Sequence, residues 1–186
     1  HVALPGGCNF ASRPIDQHIK GFEALGAIVD ETEEYVALEP GEEGLHGSRI
    51  SLDMASVGAT MNIMLAAVKA KGEAVIHNAA CEPEIVDLCR FLTAMGGRIR
   101  GAGSAAIQVE GVQRLHGADY APMPDRIVAG TLLAAAAATG GSICLNNTPC
   151  SELCAVFAKL REMGCVVSEK ENSVVLHAPA RLNAFQ

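Results

Sequence analysis

A pattern that occurs three times, in which a helix end is followed by a glycine and then a strand, constrains this 186-residue chain more than any other feature. Its copies lie at residues 22–29, 91–99 and 159–167. Their glycines, Gly26, Gly96 and Gly164, are 70 and then 68 residues apart, and each suits the left-handed position at which many helices end. Residues 70–78 and 138–146 also match, so the unit reads helix, strand, helix, strand, strand. The chain is therefore predicted to be an α/β protein of repeated units.

Within the units, apolar periodicity predicts five helices and four well-marked strands. The helices are predicted at 14–25, 57–70, 83–95, 129–138 and 151–163, and the strands at 74–77, 107–110, 142–145 and 174–177. Ser12 is the expected N-cap of the first helix, with Pro14 in its first turn. The polar stretch at 32–44 predicts a hairpin edge. Because each helix is apolar along one wide face, several helices must pack together inside a shell of strands.

Composition argues against several classes of function. The chain has 14 Lys and Arg against 21 Asp and Glu, and this net charge of −7 argues against non-specific nucleic-acid binding. The longest apolar run, at 131–139, is too short to span a bilayer. Aromatic residues make up only 4% of the chain, so the core must consist of smaller apolar side chains. We therefore expect a globular, cytoplasmic protein with no nucleic-acid or membrane partner.

The seven cysteines include no CxxC pair, which argues against both a disulfide framework and a zinc site. Cys150 and Cys154 share a helical spacing, but no histidine lies near them in sequence, so no metal site is predicted. Four others lie among apolar neighbours and are expected to be small core residues: Cys81, Cys89, Cys144 and Cys165. The sequence begins with His directly before a motif, and we expect it to be a fragment of a longer protein.

The segment 5–18, PGGCNFASRPIDQH, has the clearest chemical character in the chain. Two glycines allow the backbone to turn sharply before Cys8, which places a thiol on an accessible loop. Arg13 supplies a planar, charged fork suited to phosphate or carboxylate. A thiol and an arginine at one helix entrance favour covalent or acid chemistry on an anionic substrate. A buried cysteine beside a surface arginine is the alternative.

Five segments of the chain carry a family resemblance, because they follow one another in the order that the family has them. They are GGC with RPIDQHIKGFEALGA four residues on, ASVGAT, NAACEPEIVD, GVQRLHG and MPDRIVAGT. Together they resemble the enolpyruvyl transferases that act on UDP-N-acetylglucosamine, over nearly the whole chain. The resemblance implies an inside-out α/β barrel of repeated βαβαββ units, with helices inside and sheets outside, here incomplete. It assigns residues 1–121 to the rear part of the domain that carries the catalytic loop. Residues 122–186 would be the crossover and the start of the returning part of the second domain.

The resemblance also implies a set of site residues. Cys8 would add to phosphoenolpyruvate, donate a proton and be alkylated by fosfomycin. The substrate-binding residues would be Arg13, Pro14, Ile15, Asp16 and Gln17 from one segment, and Met54, Ala55, Ser56, Val57 and Gly58 from another. Two departures stand out: Asn9-Phe10-Ala11 is bulkier than the usual Gly-containing run, and Met54 stands where many relatives have a lysine. Without a ligand, Asp16 and Ser56 are explained equally well as ordinary residues at helix N-termini.

The implied activity is the transfer of an enolpyruvyl group from phosphoenolpyruvate to the 3′-hydroxyl of UDP-N-acetylglucosamine, the first committed step of peptidoglycan synthesis. No cofactor is expected. The partners would be the two substrates and the missing remainder of the same chain, without which we expect no turnover. Two alternatives stay open: the shikimate-pathway enolpyruvyl transferase, which shares the fold, and a non-catalytic relative that binds a sugar nucleotide.

Overall fold

A computed structural model describes residues 15–32 and 35–184 in full, together with the backbone of the two-residue strand Val2–Ala3. The contacts between Cα atoms divide the chain into two compact units, residues 1–121 and 122–186. The assignment of these ranges to two domains of a larger enzyme stays a prediction. Among the helices that the structure describes, none is both long and apolar enough to cross a membrane.

In its described residues, the first unit contains three helices and two sheets. Its elements are β1 (Val2–Ala3), α1 (Asp16–Ala24), β2 (Ala27–Glu31), β3 (Tyr35–Pro40), β4 (Arg49–Ser51), α2 (Val57–Ala67), β5 (Glu73–His77), α3 (Pro83–Ala94), β6 (Arg98–Arg100) and β7 (Ala106–Glu110). One sheet has the order β1-β3-β2 and is antiparallel. The other has the order β4-β5-β7-β6 and is mixed, because β4 and β5 run parallel. The hairpin predicted at 32–44 is confirmed in the pairing of β2 with β3.

The second unit places two helices and a short 3₁₀ helix beside one antiparallel sheet. Its elements are α4 (Arg126–Ala138), β8 (Ser142–Asn146), the 3₁₀ helix Cys150–Leu153, α5 (Cys154–Glu162), β9 (Val166–Lys170) and β10 (Ser173–His177). The strand order is β8-β10-β9. The α/β class is therefore confirmed, whereas the three sheets of the described residues do not form a closed barrel.

The repeat glycines occupy the left-handed conformation that their position predicts. Gly26, Gly96 and Gly164 have φ angles of 88°, 96° and 91°. In each copy the carbonyl of the preceding helix-end residue accepts a hydrogen bond from a later backbone N–H. The three pairs are His46 to Leu25 (2.9 Å), His116 to Met95 (2.9 Å) and Asn183 to Met163 (3.0 Å). The sequence Leu-His-Gly occurs at 45–47 and again at 115–117. Residues 182–184 are thus a third, divergent copy of this turn, in which asparagine replaces histidine.

This equivalence predicts that asparagine can substitute for His116. The His116 ring packs on the Cα of Gly96, and its Nδ1 lies 2.9 Å from the carbonyl oxygen of Gly117. In the third copy of the repeat, the amide of Asn183 packs on Gly164 in the same way. We expect His116→Asn to retain the unfolding free energy, and His116→Ala to lose about 0.5–1.5 kcal/mol, the usual net contribution of one hydrogen bond. Urea unfolding of both variants measures the difference, and equal losses would contradict the equivalence.

The core of the first unit is centred on α2, which contributes four fully buried apolar side chains: Ala59, Ile63, Met64 and Ala67. Helix α1 approaches α2 so closely that its backbone touches the Ile63 side chain. A Cβ added to Gly21 would lie 2.2 Å from Ile63 Cδ1. Gly21 is therefore needed for close helix packing, although glycine is a poor helix former.

We expect Gly21→Ala to destabilise the first unit by about 1–3 kcal/mol, the usual cost of overpacking, because Ile63 must move. Gly117→Ala is the matched control, since a Cβ at Gly117 meets nothing within 4 Å. Urea unfolding of the two variants checks the prediction. A Gly21→Ala variant as stable as the control would show that α1 and α2 do not pack this closely.

Three helix starts differ from those expected. Helix α1 begins at Asp16 with Ile15 as its N-cap, whose side chain makes no capping hydrogen bond. The expected cap Ser12 and the expected first-turn residue Pro14 lie outside the described residues.

Helix α4 begins at Arg126 rather than at residue 129, because the Asp125 carboxylate accepts hydrogen bonds from the N–H groups of residues 127 and 128, at 2.7 and 3.0 Å. Helix α5 begins at Cys154 rather than at residue 151, because the 3₁₀ helix Cys150–Leu153 precedes it. In α4 the cap residue determines where the helix begins, and the apolar period does not reveal it.

Two of the four cysteines expected in the core are exposed. Cys89 and Cys165 are buried, as predicted, but Cys81 and Cys144 are not. Cys81 lies in the loop between β5 and α3, outside any regular element. Cys144 lies on β8, where burial alternates along the strand and its side chain is on the exposed face. Apolar neighbours in sequence therefore did not indicate which face of the strand is covered.

Candidate functional site

Eight of the eleven predicted site residues lie in the part of the chain that the structure describes. Ile15, Asp16 and Gln17 lie at the start of α1, and residues 54–58 form the loop and first turn of α2. Cys8, Arg13 and Pro14 lie outside the described residues. The roles assigned to all eleven residues stay predictions.

A paired contact between Gln17 and Asp53 ties the first predicted segment to the residue directly before the second. The backbone N–H of Asp53 donates to Gln17 Oε1 at 2.8 Å, and Gln17 Nε2 donates to Asp53 Oδ2 at 3.0 Å. Gln17 Nε2 also donates to Asp16 Oδ2 at 3.0 Å. Gln17 is only 6% exposed, and its buried amide uses both N–H donors and accepts one hydrogen bond at its oxygen. The start of α1 is thereby tied to the residue that precedes Met54.

Lys20, one turn after Gln17 on α1, binds the same carboxylate. Its Nζ lies 2.6 Å from Asp53 Oδ1, and both side chains are substantially exposed. The hydrogen bond from Lys20, followed by the one from Gln17, lowers the pKa of Asp53 below its ordinary value. Asp53 is therefore ionised at neutral pH and shared between two donors.

The sign of that pKa shift predicts a pH dependence. A carboxyl group whose pKa is lower in the folded state stabilises the fold above its unfolded pKa, and this contribution is lost as the pH falls through the folded value. We expect the difference in urea midpoint between the wild type and Asp53→Asn to be full at pH 7, to begin to shrink near the ordinary carboxyl pKa of 3.8, and to be lost as the pH falls through the lower folded pKa. High salt should reduce it, because the pair is exposed. A difference that stays constant down to pH 2.5 would contradict the assignment to the Asp53 charge.

The other end of this loop is held by β5. The N–H of Leu52 donates to the carbonyl of His77 at 3.1 Å, and the Asn78 amide donates to the carbonyl of Leu52 at 3.0 Å. Asn78 has a φ of 55°, a left-handed conformation that asparagine tolerates better than most residues. The loop is therefore fixed on both sides before it enters α2.

Helix α2 begins with a cap that leaves two backbone donors free. Ser56 Oγ accepts from the N–H of Ala59 at 3.3 Å. The N–H groups of Val57 and Gly58 have no intrahelical acceptor, as is general for the first turn of a helix. These donors and the positive end of the helix dipole suit an anion. Met54, beside them, is 61% exposed and carries no charge.

His18 packs on the first turn of α2 at Gly58. A Cβ added to Gly58 would lie 3.1 Å from His18 Nε2, so any larger residue would press on the ring. The other ring nitrogen, Nδ1, is buried and makes no hydrogen bond to the described part of the chain. His18, Lys20 and Asp53 are the residues around this site that sequence reasoning missed. The only local signal was the position of Asp53 directly before the Met54–Gly58 segment.

The three buried thiols among the described residues are unsuited to nucleophilic chemistry. Burial raises the pKa of Cys89 to about 11, and it also raises the pKa values of Cys150 and Cys165. A raised pKa keeps a thiol protonated at neutral pH, where it is a poor nucleophile. No group of three or more potential metal ligands occurs among the residues that the structure describes.

Comparisons with known proteins give one consistent family. A sequence model of EPSP synthase (3-phosphoshikimate 1-carboxyvinyltransferase) matches residues 1–185. UDP-N-acetylglucosamine 1-carboxyvinyltransferase 2 of Bacillus cereus is 51% identical over 97% of this chain and 42% of its own length. The protein of the same name from Geobacillus kaustophilus is 53% identical over 94% of this chain and 40% of its own length. UDP-N-acetylglucosamine 1-carboxyvinyltransferase of Finegoldia magna is 50% identical over 96% of this chain and 43% of its own length. The chain thus spans about two fifths of the length of the curated relatives it matches.

Solved structures agree on the fold. The enolpyruvyl transferase NikO from Streptomyces tendae aligns with a TM-score of 0.74 and 19% identity, over 90% of this chain and 43% of that one. EPSP synthase from Acinetobacter baumannii aligns with a TM-score of 0.64 and 23% identity, over 95% of this chain and 42% of that one. At these identities the likeness concerns the fold alone. Since the sequence model covers almost the entire chain, the chain belongs to the EPSP synthase family, and its most similar curated relatives are named UDP-N-acetylglucosamine 1-carboxyvinyltransferases.

Proposed function

We propose that the protein containing this chain transfers an enolpyruvyl group from phosphoenolpyruvate to the 3′-hydroxyl of UDP-N-acetylglucosamine, at the start of peptidoglycan synthesis. The observation that carries the proposal is the contact between Gln17 and Asp53, which are 36 residues apart. This contact ties one of the segments expected to hold the sugar nucleotide to the residue that directly precedes the other. Identity of about half over nearly the whole chain to enzymes named for this reaction supports it. A cytoplasmic location is part of the same proposal.

Each segment has a defined part in the proposed reaction. The Arg13 guanidinium and the Pro14 ring hold the uracil between them. The free N–H groups of Val57 and Gly58, with the Ser56 hydroxyl, bind the diphosphate. The oxygen of the sugar hydroxyl forms a bond to the enol carbon of phosphoenolpyruvate while Cys8 donates a proton to the methylene carbon. The bond from that carbon to the phosphate oxygen then breaks, and the phosphate leaves with the proton of the sugar hydroxyl. The new methyl group returns a proton to the Cys8 thiolate, and the enol double bond re-forms.

The finer fold is part of the same proposal. We propose that the chain is an incomplete inside-out barrel, with residues 1–121 in the rear part of the catalytic-loop domain and residues 122–186 at the start of the returning part of the second. Three apolar side chains of α4 support this arrangement, because Ile127, Val128 and Leu132 are 61%, 53% and 43% exposed. A large apolar surface of this kind favours coverage by further elements of the longer protein. The 186 residues alone are expected to have no turnover.

The shikimate-pathway reaction is the second candidate, because the matching sequence model is named for it. It is less favoured, since the curated relatives near 50% identity carry the other name. Competition with shikimate 3-phosphate discriminates the two. Phosphate release with shikimate 3-phosphate as the acceptor, and none with UDP-N-acetylglucosamine, would favour the second candidate.

Phosphate release by the full-length protein tests the proposal. We expect release only when both phosphoenolpyruvate and UDP-N-acetylglucosamine are present. Labelling with fosfomycin, with and without UDP-N-acetylglucosamine, addresses the non-catalytic alternative. A protein that binds the sugar nucleotide, is not labelled and releases no phosphate would be a non-catalytic relative.

A further inference from the structure

We infer that Asp53 is a positioning residue for the sugar nucleotide, because it holds Gln17 and the loop at residues 54–58 in one fixed arrangement. This inference rests on the proposed function and deepens it, since Asp53 lies outside the set of residues expected to touch the substrate. Its partner in this role is Lys20 on α1. We refer to Gln17, Lys20 and Asp53 together as the α1–loop clamp.

The first argument is geometric. Gln17 and Asp53 face each other at two points, because the glutamine oxygen accepts from the backbone of residue 53 and the glutamine nitrogen donates to its carboxylate. Two bonds of opposite direction determine the orientation of the amide and the distance between α1 and the loop. The glutamine is buried, so losing one of its acceptors leaves a donor poorly satisfied.

The second argument is electrostatic. Asp53 places a negative charge one residue before Met54, next to the N–H groups that are expected to meet a diphosphate. An unbalanced carboxylate there would repel the ligand. Lys20 lies 2.6 Å from that carboxylate and balances its charge. Lys20 thus offsets the charge that Asp53 brings to the loop, while the Asp16 carboxylate, bonded to the same Gln17 nitrogen, belongs to the start of α1.

The third argument is that few other hydrogen bonds hold the loop on the side that faces α1. Leu52 is held by β5, and Ser56 is held by its own helix. Between them, residues 54 and 55 are exposed. In the described part of the chain, the hydrogen bonds of the clamp are those that tie this stretch to α1. Preorganisation of a site depends on supporting contacts of this kind.

The test compares Asp53→Ala, Asp53→Asn and Glu110→Ala in the full-length protein. Glu110 is the matched control, since it also forms an exposed ion pair in the first unit, with Arg98 at 2.5 Å. For Asp53→Ala we expect the KM for UDP-N-acetylglucosamine to rise about tenfold, equivalent to about 1.4 kcal/mol. The kcat and the KM for phosphoenolpyruvate should change by less than about threefold. Asp53→Asn should lie between, because Gln17 and Lys20 bind different carboxylate oxygens and asparagine replaces one of these with an NH₂ group that cannot accept.

Amide hydrogen exchange provides a second readout that needs no activity. We expect the backbone N–H groups of residues 53 and 59 to exchange about tenfold faster in Asp53→Ala and to be unchanged in Glu110→Ala. An unchanged KM for the sugar nucleotide in an active Asp53→Ala variant, or unchanged exchange at both amides, would overturn the positioning role. If exchange is faster in Asp53→Ala but the wild-type protein has no transferase activity, the structural role of the α1–loop clamp is supported and the proposed function is refuted.

Discussion

Replacing Cys8 with serine in the full-length protein is expected to lower kcat by at least about 100-fold. General acid catalysis typically contributes a factor of 10² to 10⁴, and a serine hydroxyl is a far weaker acid than a thiol. Fosfomycin labelling should disappear in the same variant. The measurements are phosphate release under saturating substrates and the mass of the protein after exposure to fosfomycin.

Cys81→Ser is the matched control for this experiment. Cys81 is an exposed thiol of the same unit and lies outside the proposed site. We expect its kcat and its labelling to equal those of the wild type. If Cys81→Ser rather than Cys8→Ser abolished labelling, the reactive thiol would be the one between β5 and α3. A Cys8→Ser variant with full turnover would show that the proton comes from another group.

Replacing Met54 with lysine is expected to tighten the binding of UDP-N-acetylglucosamine. Met54 is 61% exposed and lies two residues before Ser56, so a lysine there could reach a phosphate at the start of α2. A hydrogen bond to a charged group contributes about 1.5–3 kcal/mol, which corresponds to a roughly 10- to 150-fold lower Kd. Calorimetric titration of the full-length protein with the sugar nucleotide measures the change.

The control for Met54→Lys is Ile28→Lys. Ile28 lies on β2, is 62% exposed and is also apolar, so this variant adds the same charge at the same degree of exposure. We expect its Kd to stay within about twofold of the wild type, because an exposed charge far from the ligand is screened by salt. Equal tightening in both variants would mean that net charge alone attracts the nucleotide. An unchanged Kd in Met54→Lys would place the diphosphate away from the start of α2.

Periodic features were predicted well because they depend only on residues that are neighbours in the sequence. The glycines at the helix ends have the expected left-handed φ angles, and the strands β5, β7, β8 and β10 begin and end within one residue of their predicted bounds. The errors lie where a contact distant in sequence, or a single cap, decides the outcome. Asp125 starts α4 three residues early, and the register of β8 turns Cys144 toward solvent.

The sequence by itself determined the α/β class and the repeating unit, because apolar period and glycine position are properties of neighbouring residues. Motif composition also predicted the two segments that we propose to bind the sugar nucleotide. Only the tertiary structure decided that the start of α1 meets the loop before α2. Gly21 lets α1 approach α2 closely, and this places the buried Gln17 amide against Asp53, 36 residues away. The pairing of a side chain with a distant backbone depends on how two helices pack, and no local pattern encodes that distance.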